Sequence, residues 1–486
     1  MSQLRAGVAK SEISTEDPRM IVTDPLFAKA LVLDDGATRV AILAMDAVAI
    51  GGICDISDEF LPQLRARIES ELSIPGANVL VNASHTHTPG PMLVEHDEQL
   101  ARTFDAVRRA SEDMQEVTIG IGVGHEDRWI INRTLRTTDG GGWTIRQANP
   151  CPPDDEVAGL GPIDPEIGII RIDRADGSPL AVVYNYACHP LVGVPGNYVT
   201  ANYPGFASQV IESCLGGDAM ALFLQGTGGD VTEVTYKDFD HPRDCSPLGR
   251  MLGLNTLEAL GKIETGVARL DVVSETIRLP RRTDSDERIA ELEEQQQELL
   301  HSMVGMTLNF RSFLPLFLKY RLNPEWPADY CWRYMQAEAR GSDEFTLLDE
   351  LNRHNLDRYL HNIRAMEKLA RLQSNIGTLQ HHKRLNEESG EDTIEAEVMG
   401  LRIGDCAIVT SPAELLVQVG LNLKAASPHR WTFISPFTNG YIHYGAPEED
   451  YALRGYETTE CLLDKAWHAI YENAAKGVLQ RLWERR

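Results

Sequence analysis

An apolar run from Ala77 to Ala83 stops in Ser84-His85-Thr86-His87-Thr88-Pro89-Gly90. Such a run reads as a buried strand, which demands a sheet covered by other layers. The loop after it carries two histidines at i and i+2. In an extended backbone two such side chains point to the same side. Open α/β sheets bind their ligands just outside the carboxyl ends of their strands, so His85 and His87 stand where chemistry is usually done. A polar loop with two solvated histidines would look the same, so the triplet alone decides nothing.

The same device recurs along the chain. Arg39 to Met45 is almost continuously apolar and ends at Asp46, which is either a turn residue or a carboxylate partner for a metal-bound imidazole. Leu180 to Cys188 runs into His189-Pro190. Met220 to Gln225 runs into Gly226-Thr227-Gly228-Gly229-Asp230. The spacing of those glycines is not that of a P-loop. They read as a backbone-accessible turn that offers N–H groups to an oxyanion, with Gly226 and Thr227 as substrate contacts. The strand pattern of Thr393 to Thr410 leads through Ser411-Pro412-Ala413 to Glu414, which in isolation is also an ordinary first-turn helix residue. Trp431 to Ser435 leads into the loop Asn439 to Tyr444.

Helical spacing fills the intervals, as in Phe60, Leu61, Leu64, Ile68 and Leu72. The mixture predicts an α/β fold: a mixed central sheet flanked by helices, forming a single domain over 1–486. Residues 137–163 are rich in Gly, Pro and Asp and read as a long surface loop. From 284 to 385 the character changes to charged and apolar helical segments, which predicts a helical insertion. Within it, Phe310 to Leu318 reads as helix packing or as the lining of an acyl groove. No internal repeat is visible.

Composition removes several function classes. A formal charge of −26 argues against nucleic acid and anionic membrane surfaces as partners. No apolar run approaches the ~18 residues of a transmembrane helix. The opening MSQLRAGVAKSEIS lacks the apolar core of a signal peptide, and none of the eight cysteines forms a C-x-x-C pair. The expectation is a cytoplasmic protein, with homo-oligomerisation left open.

Two imidazoles and a carboxylate with an open position for water are a common catalytic zinc site. Eight short blocks then occur in a meaningful order. They are Ala6 to Lys10, Ser84 to His87, Ile131-Asn132-Arg133, Cys188-His189-Pro190, Gln225 to Asp230, Pro412-Ala413-Glu414, Asn439 to Tyr444 and Tyr456-Glu457. In these blocks the chain resembles the catalytic domain of the neutral ceramidases, zinc amidases that cleave the N-acyl bond of ceramide. The resemblance implies Zn2+ held by His85, His189, Glu414 and Tyr444. It implies that His87, Arg133 and Tyr456 polarise the substrate carbonyl and hold the oxyanion.

The chain departs from the family where a serine is expected after the glutamine of the Gln225 block, because Gly226 stands there. It also stops after the terminal helix, leaving no room for the family's additional sandwich domain. The reading that follows is a zinc-dependent hydrolase that cleaves a small-molecule amide with metal-activated water. Thr227 as nucleophile, a zinc esterase or lactonase, and a metal-bearing binding protein without turnover are the alternatives. A cysteine hydrolase built on Cys188 and His189 is poorly placed, since adjacent strand residues face opposite ways.

Overall fold

The computed structural model describes residues 3–145, 151–238, 240–327 and 331–485. They form two compact units: Met1–Arg282 with Arg384–Arg486, and Thr283–Lys383. The fold is mixed α/β. In the larger unit an eight-stranded sheet runs in the order Met220–Gln225, Pro179–Tyr186, Glu166–Arg174, Gln115–His125, Arg5–Glu12, Phe27–Asp34, Arg39–Met45 and Val79–Ala83. A second sheet runs Leu270–Pro280, Thr393–Ile403, Cys406–Thr410 and Trp431–Ser435.

The central strands are apolar on consecutive residues because both faces are covered. Leu31, Leu33, Ile42 and Leu80 of the large sheet pack with Met399, Leu401, Ile408 and Phe433 of the small one. The alternate residues Ala30, Val32, Leu43 and Val81 pack under the helices Phe60–Leu72 and His96–Glu112. Beyond the small sheet, Val398 and Val409 meet the helices Val417–Ala426 and Trp467–Glu484 through Val419, Leu423, Val478 and Leu482. The unit therefore has four layers, helix, sheet, sheet and helix. The mixed central sheet flanked by helices that the sequence predicts is present, and a second sheet, which the sequence did not reveal, covers one face of the large one.

The structure also corrects the absence of repeats. Among the described residues one strand order occurs three times. A first strand pairs antiparallel with a second, and the second forms a hairpin with a third. A helix then crosses to a fourth strand parallel to the third. A closing helix packs back on the first strand. The modules span about 5–112, 115–260 and 270–484. The helical unit lies in the third module, between its first and second strands. In the second module the same connection holds the region read as a long loop. There Thr134–Thr137, Gly142–Thr144 and Val157–Leu160 form a small sheet. Residues 146–150 of that stretch lie outside the described residues.

Two buried amides join the modules where their parallel strand pairs end. Asn82 Nδ2 donates to Pro436 O (2.7 Å), Thr438 Oγ1 (2.9 Å) and Ser435 Oγ (3.1 Å) in the third module. Its Oδ1 accepts from Gln225 N–H in the second at 2.9 Å. Asn185 Nδ2 spans the second and third modules, donating to Leu224 O, Gln225 O and Ile434 O.

The smaller unit is helical, with Ser285–Ser302, Phe310–Leu322, Trp332–Ala339 and most of Glu344–Ser389. Its interior holds Leu292, Leu372, Ile376 and Leu379 in one cluster and Phe313, Tyr320, Leu356 and Tyr359 in another. Among the described residues no helix is long and apolar enough to cross a membrane.

Removing the Asn82 side chain strands a buried Gln225 N–H and three acceptors. The Asn82→Ala variant should lose about 3 kcal/mol of stability, measured by denaturant unfolding. A loss under about 1 kcal/mol would show that the modules hold together without this amide.

Candidate metal centre

Each module delivers one side chain to the junction. His85 follows the fourth strand of the first, His189 the third strand of the second, and Glu414 the third strand of the third. All three are buried. His85 Nε2 lies 3.0 Å from His189 Nε2 and 3.4 Å from Glu414 Oε1. His189 Nε2 lies 3.3 Å from Glu414 Oε2. Four ligands at 2.0–2.1 Å around a tetrahedral cation stand about 3.3 Å from one another. The observed separations are those of ligand atoms around one small ion.

Backbone carbonyls set the tautomers. His85 Nδ1 donates to Val48 O at 2.7 Å, and His189 Nδ1 to Gly228 O at 2.6 Å. A carbonyl only accepts, so the proton of each neutral ring sits on Nδ1. The two Nε2 atoms then face each other with lone pairs and no proton between them. Burial, reinforced by the nearby Arg133 cation, pushes the pKa of His189 down to about 4 and keeps that ring neutral. Glu414 Oε2 is buried without a hydrogen bond. Two opposed lone pairs beside an unsatisfied carboxylate oxygen fit a divalent cation.

His87 joins this set. Its Nε2 lies 2.9 Å from His85 Nε2, and the three imidazoles offer nitrogens all within 4.8 Å of one another. The residue is exposed at the mouth while its ring tip reaches the buried cluster. Desolvation of that tip, with the other two imidazoles, drives its pKa well below the usual histidine value. The convergence does not arise from an extended backbone. His85 has φ of 62°, in the left-handed region, so the i, i+2 argument gives the right neighbours for the wrong reason. The ring of Phe437 stacks on His85 at 4.1 Å and supports this conformation.

Asp46 is a turn residue: its Oδ2 accepts from Phe27 N–H, while the backbone carbonyl of Val48 orients His85.

The strand pairing Glu414↔Tyr444 brings the phenol beside the carboxylate. The Tyr444 ring stacks with that of His189 at 6.4 Å, and its hydroxyl accepts from Arg133 Nη2 at 2.8 Å. Arg133 is buried; its other bonds go to Glu457 Oε1 (2.9 Å) and Gly229 O (2.8 Å). It acts on the site through Tyr444. Its cation lies 5.8 and 5.7 Å from the ring centroids of Tyr444 and Tyr456.

Two further participants were given no role from the sequence, although Tyr441 lies in the loop singled out with Tyr444 and Glu457 in the block with Tyr456. Tyr441 donates its hydroxyl proton to Glu414 Oε1. Glu457 neutralises Arg133 and accepts from Thr134 and Thr144 hydroxyls, both at 2.9 Å. Their signals were position only: Tyr441 shares the loop of Tyr444, and Glu457 follows Tyr456.

The glycine turn is not an oxyanion cradle. Gly226 N–H is taken by Tyr186 O, Gly228 N–H by Gly226 O, and Gly229 N–H by Leu415 O, at 2.8 to 3.0 Å. A Cβ on Gly226 would stand 2.8 Å from the Tyr186 carbonyl carbon, and one on Gly228 2.7 Å from Cys188 N. The glycines exist because neighbouring backbones pass that close. Thr227 is buried with its hydroxyl against the helix Val417–Ala426, where a Cβ on Gly420 would meet it at 2.2 Å. Gly226 and Thr227, suggested from the sequence as substrate contacts, thus stand in close packing contacts with the neighbouring backbone and helix. Cys188 is no nucleophile either: burial pushes its thiol pKa well up.

Gly226→Ser should consequently destabilise the protein by about 2 kcal/mol or more, read from denaturant midpoints. A stable and more active Gly226→Ser variant would show that the turn has room for a side-chain nucleophile.

A scan of protein-family models finds no match, and neither does a search of curated proteins. Among solved structures, the chain is similar to a neutral ceramidase from Pseudomonas aeruginosa, with 16% identity and a TM-score of 0.61. That match covers 100% of this chain and 75% of the other. It is also similar to a structure described as ceramidase complexed with C2, with 16% identity, a TM-score of 0.63, and 100% and 76% of the two chains covered. Over its whole length, then, the chain has a ceramidase-like fold.

Proposed function

We propose that this protein is a zinc-dependent hydrolase that cleaves the amide bond of a small molecule with activated water. The observation that carries the reading is the pair of buried Nε2 atoms 3.0 Å apart, each ring protonated on the other nitrogen, beside the carboxylate of Glu414. The ceramidase-like fold supports amide hydrolysis over other uses of such a centre. All eight cysteines are free, which fits action in the cytoplasm.

His85, His189 and Glu414 would hold the cation, with Tyr444 completing the set. A divalent zinc bound there lowers the pKa of water and polarises a carbonyl. Val48 and Gly228 keep the two buried rings aimed, and Tyr441 fixes the carboxylate. Burial raises the pKa of the Tyr444 phenol well above its ordinary value, and Arg133, holding its oxygen with a charged donor, opposes that rise. His87, at the exposed mouth, and Tyr456 offer hydrogen bonds to the carbonyl oxygen as negative charge develops. One such donor is worth about a hundredfold to a thousandfold in rate. Water adds its oxygen to the carbonyl carbon, the carbon–nitrogen bond breaks, and the departing nitrogen takes up a proton.

Metal analysis of the purified chain should find zinc, and His85→Ala should lose both the metal and amide turnover on a panel of N-acyl amino acids, ceramides, cyclic amides and esters. If metal content and activity both survived that substitution, the proposal would fail. Turnover of esters alone would reassign the chemistry. The His87→Ala variant separates two roles: it should keep its metal while kcat falls about a hundredfold or more. Loss of the metal would place His87 among the ligands.

A further inference from the structure

We propose that the helical unit docks on the surface of an anionic lipid bilayer, lying in the headgroup plane. The residues concerned are separate from the metal centre, so this inference stands or falls independently of the proposed function.

The helix Phe310–Leu322 begins at a capping box, in which Asn309 and Ser312 exchange hydrogen bonds. Its inward face is settled: Phe313 and Tyr320 are buried with Leu356 and Tyr359, and Leu316 and Phe317 pack against them. A soluble helix would carry charge on the other face. Here that face presents Phe310 at 63%, Leu314 at 40%, Leu318 at 48% and Leu322 at 83% exposure, one residue every four. The preceding loop exposes Val304 and Met306, and Trp326 follows. Single exposed leucines are ordinary, but a continuous stripe marks an interaction surface.

An apolar stripe by itself does not say what covers it; the charges do. From Met303 to Pro324 the chain has Arg311, Lys319 and Arg321 and no acidic residue, within a protein of net charge −26. Among the described residues none of the three is paired with a carboxylate. At about 100° per residue, Arg321 falls between Phe310 and Leu314 on the helix surface, and Arg311 between Leu318 and Leu322. A protein partner covering this stripe would have to bury both guanidinium groups, and a second copy would set like charges against each other. A bilayer interface has neither problem. The apolar side chains enter the acyl boundary, the arginine stems lie along them, and the cations stay among the phosphates. Trp326 suits the same depth, since tryptophan collects at the headgroup level. Whole-chain repulsion is weak at contact, because charges beyond a screening length of about 8 Å hardly act. The cytoplasmic leaflet supplies such an anionic surface.

The test uses the full chain in vesicle co-sedimentation, with phosphatidylcholine alone and with phosphatidylcholine mixed with phosphatidylglycerol. Binding should require the anionic lipid and weaken as salt is raised. Two variants, Leu314→Glu with Leu318→Glu and Arg311→Glu with Arg321→Glu, should each lower binding at least about tenfold, with unchanged circular dichroism. The arginine variant removes no buried apolar side chain, its one ring contact being that of Arg321 with Phe317, and serves if the leucine variant misfolds. Absence of binding to the mixed vesicles would overturn the proposal. So would equal, salt-insensitive binding to both compositions, or a concentration-dependent dimer in gel filtration that Leu314→Glu abolishes.

Discussion

Two neutral imidazoles that aim lone pairs at each other across 3.0 Å repel unless something positive lies between them. Burial makes the opposition worse, because no water enters to screen it. The surroundings do nothing to relax it and much to enforce it. Each ring is fastened through Nδ1 to a carbonyl, His85 is held at a positive φ, and Phe437 stacks on its face. Constraints maintained from several directions are characteristic of functional sites. Glu414 stands beside both nitrogens, and a carboxylate with two such lone pairs is a set that could hold a divalent cation.

That arrangement depends on the triple architecture. No module holds the cluster alone: His85 and His87 come from the first, His189 from the second, and Glu414 and Tyr444 from the third, in each case beyond the carboxyl end of a parallel strand pair. The relative position of the ligands is therefore the relative position of the modules. Asn82 and Asn185 fix it with bonds that cross from one module to another just below the ligands. Under the proposed function, cation binding and module assembly would be linked: whatever loosens the joint would cost metal affinity, and a bound cation would draw the three modules together.

Much of this was legible in the sequence, and the failures share a cause. Apolar runs announce buried strands whatever covers them, so Arg39–Met45 and Val79–Ala83 were readable, but the covering second sheet was not. The repeat escaped notice because it is one of topology, and connections of very different length separate its first two strands. His85 and His87 were found by assuming an extended backbone that His85 does not adopt. Asp46 was offered as the partner of an imidazole, a task performed by a backbone carbonyl that no sequence motif encodes. The net charge of −26, from which anionic surfaces were excluded as partners, does not report distribution: the run from 303 to 324 holds three cations and no anion. Electrostatics at a surface is decided within a screening length, not by a total.

The Gln225–Asp230 turn bears most directly on mechanism. A glycine-rich stretch at a strand end invites the reading of an anion cradle. Here the three glycine N–H groups are occupied and the missing side chains make room for the strands beside them. Covalent catalysis needs a nucleophile that faces the substrate. Gly226 has no side chain and no space for one, Thr227 turns its hydroxyl into a helix, and Cys188 is held as a buried thiol with a raised pKa. The neighbourhood that should supply a nucleophile has been built as a packed joint. What remains at the exposed side is the imidazole of His87, so under the proposed function the attacking oxygen would be that of water, and the surrounding residues would lower the energy of the charge it creates.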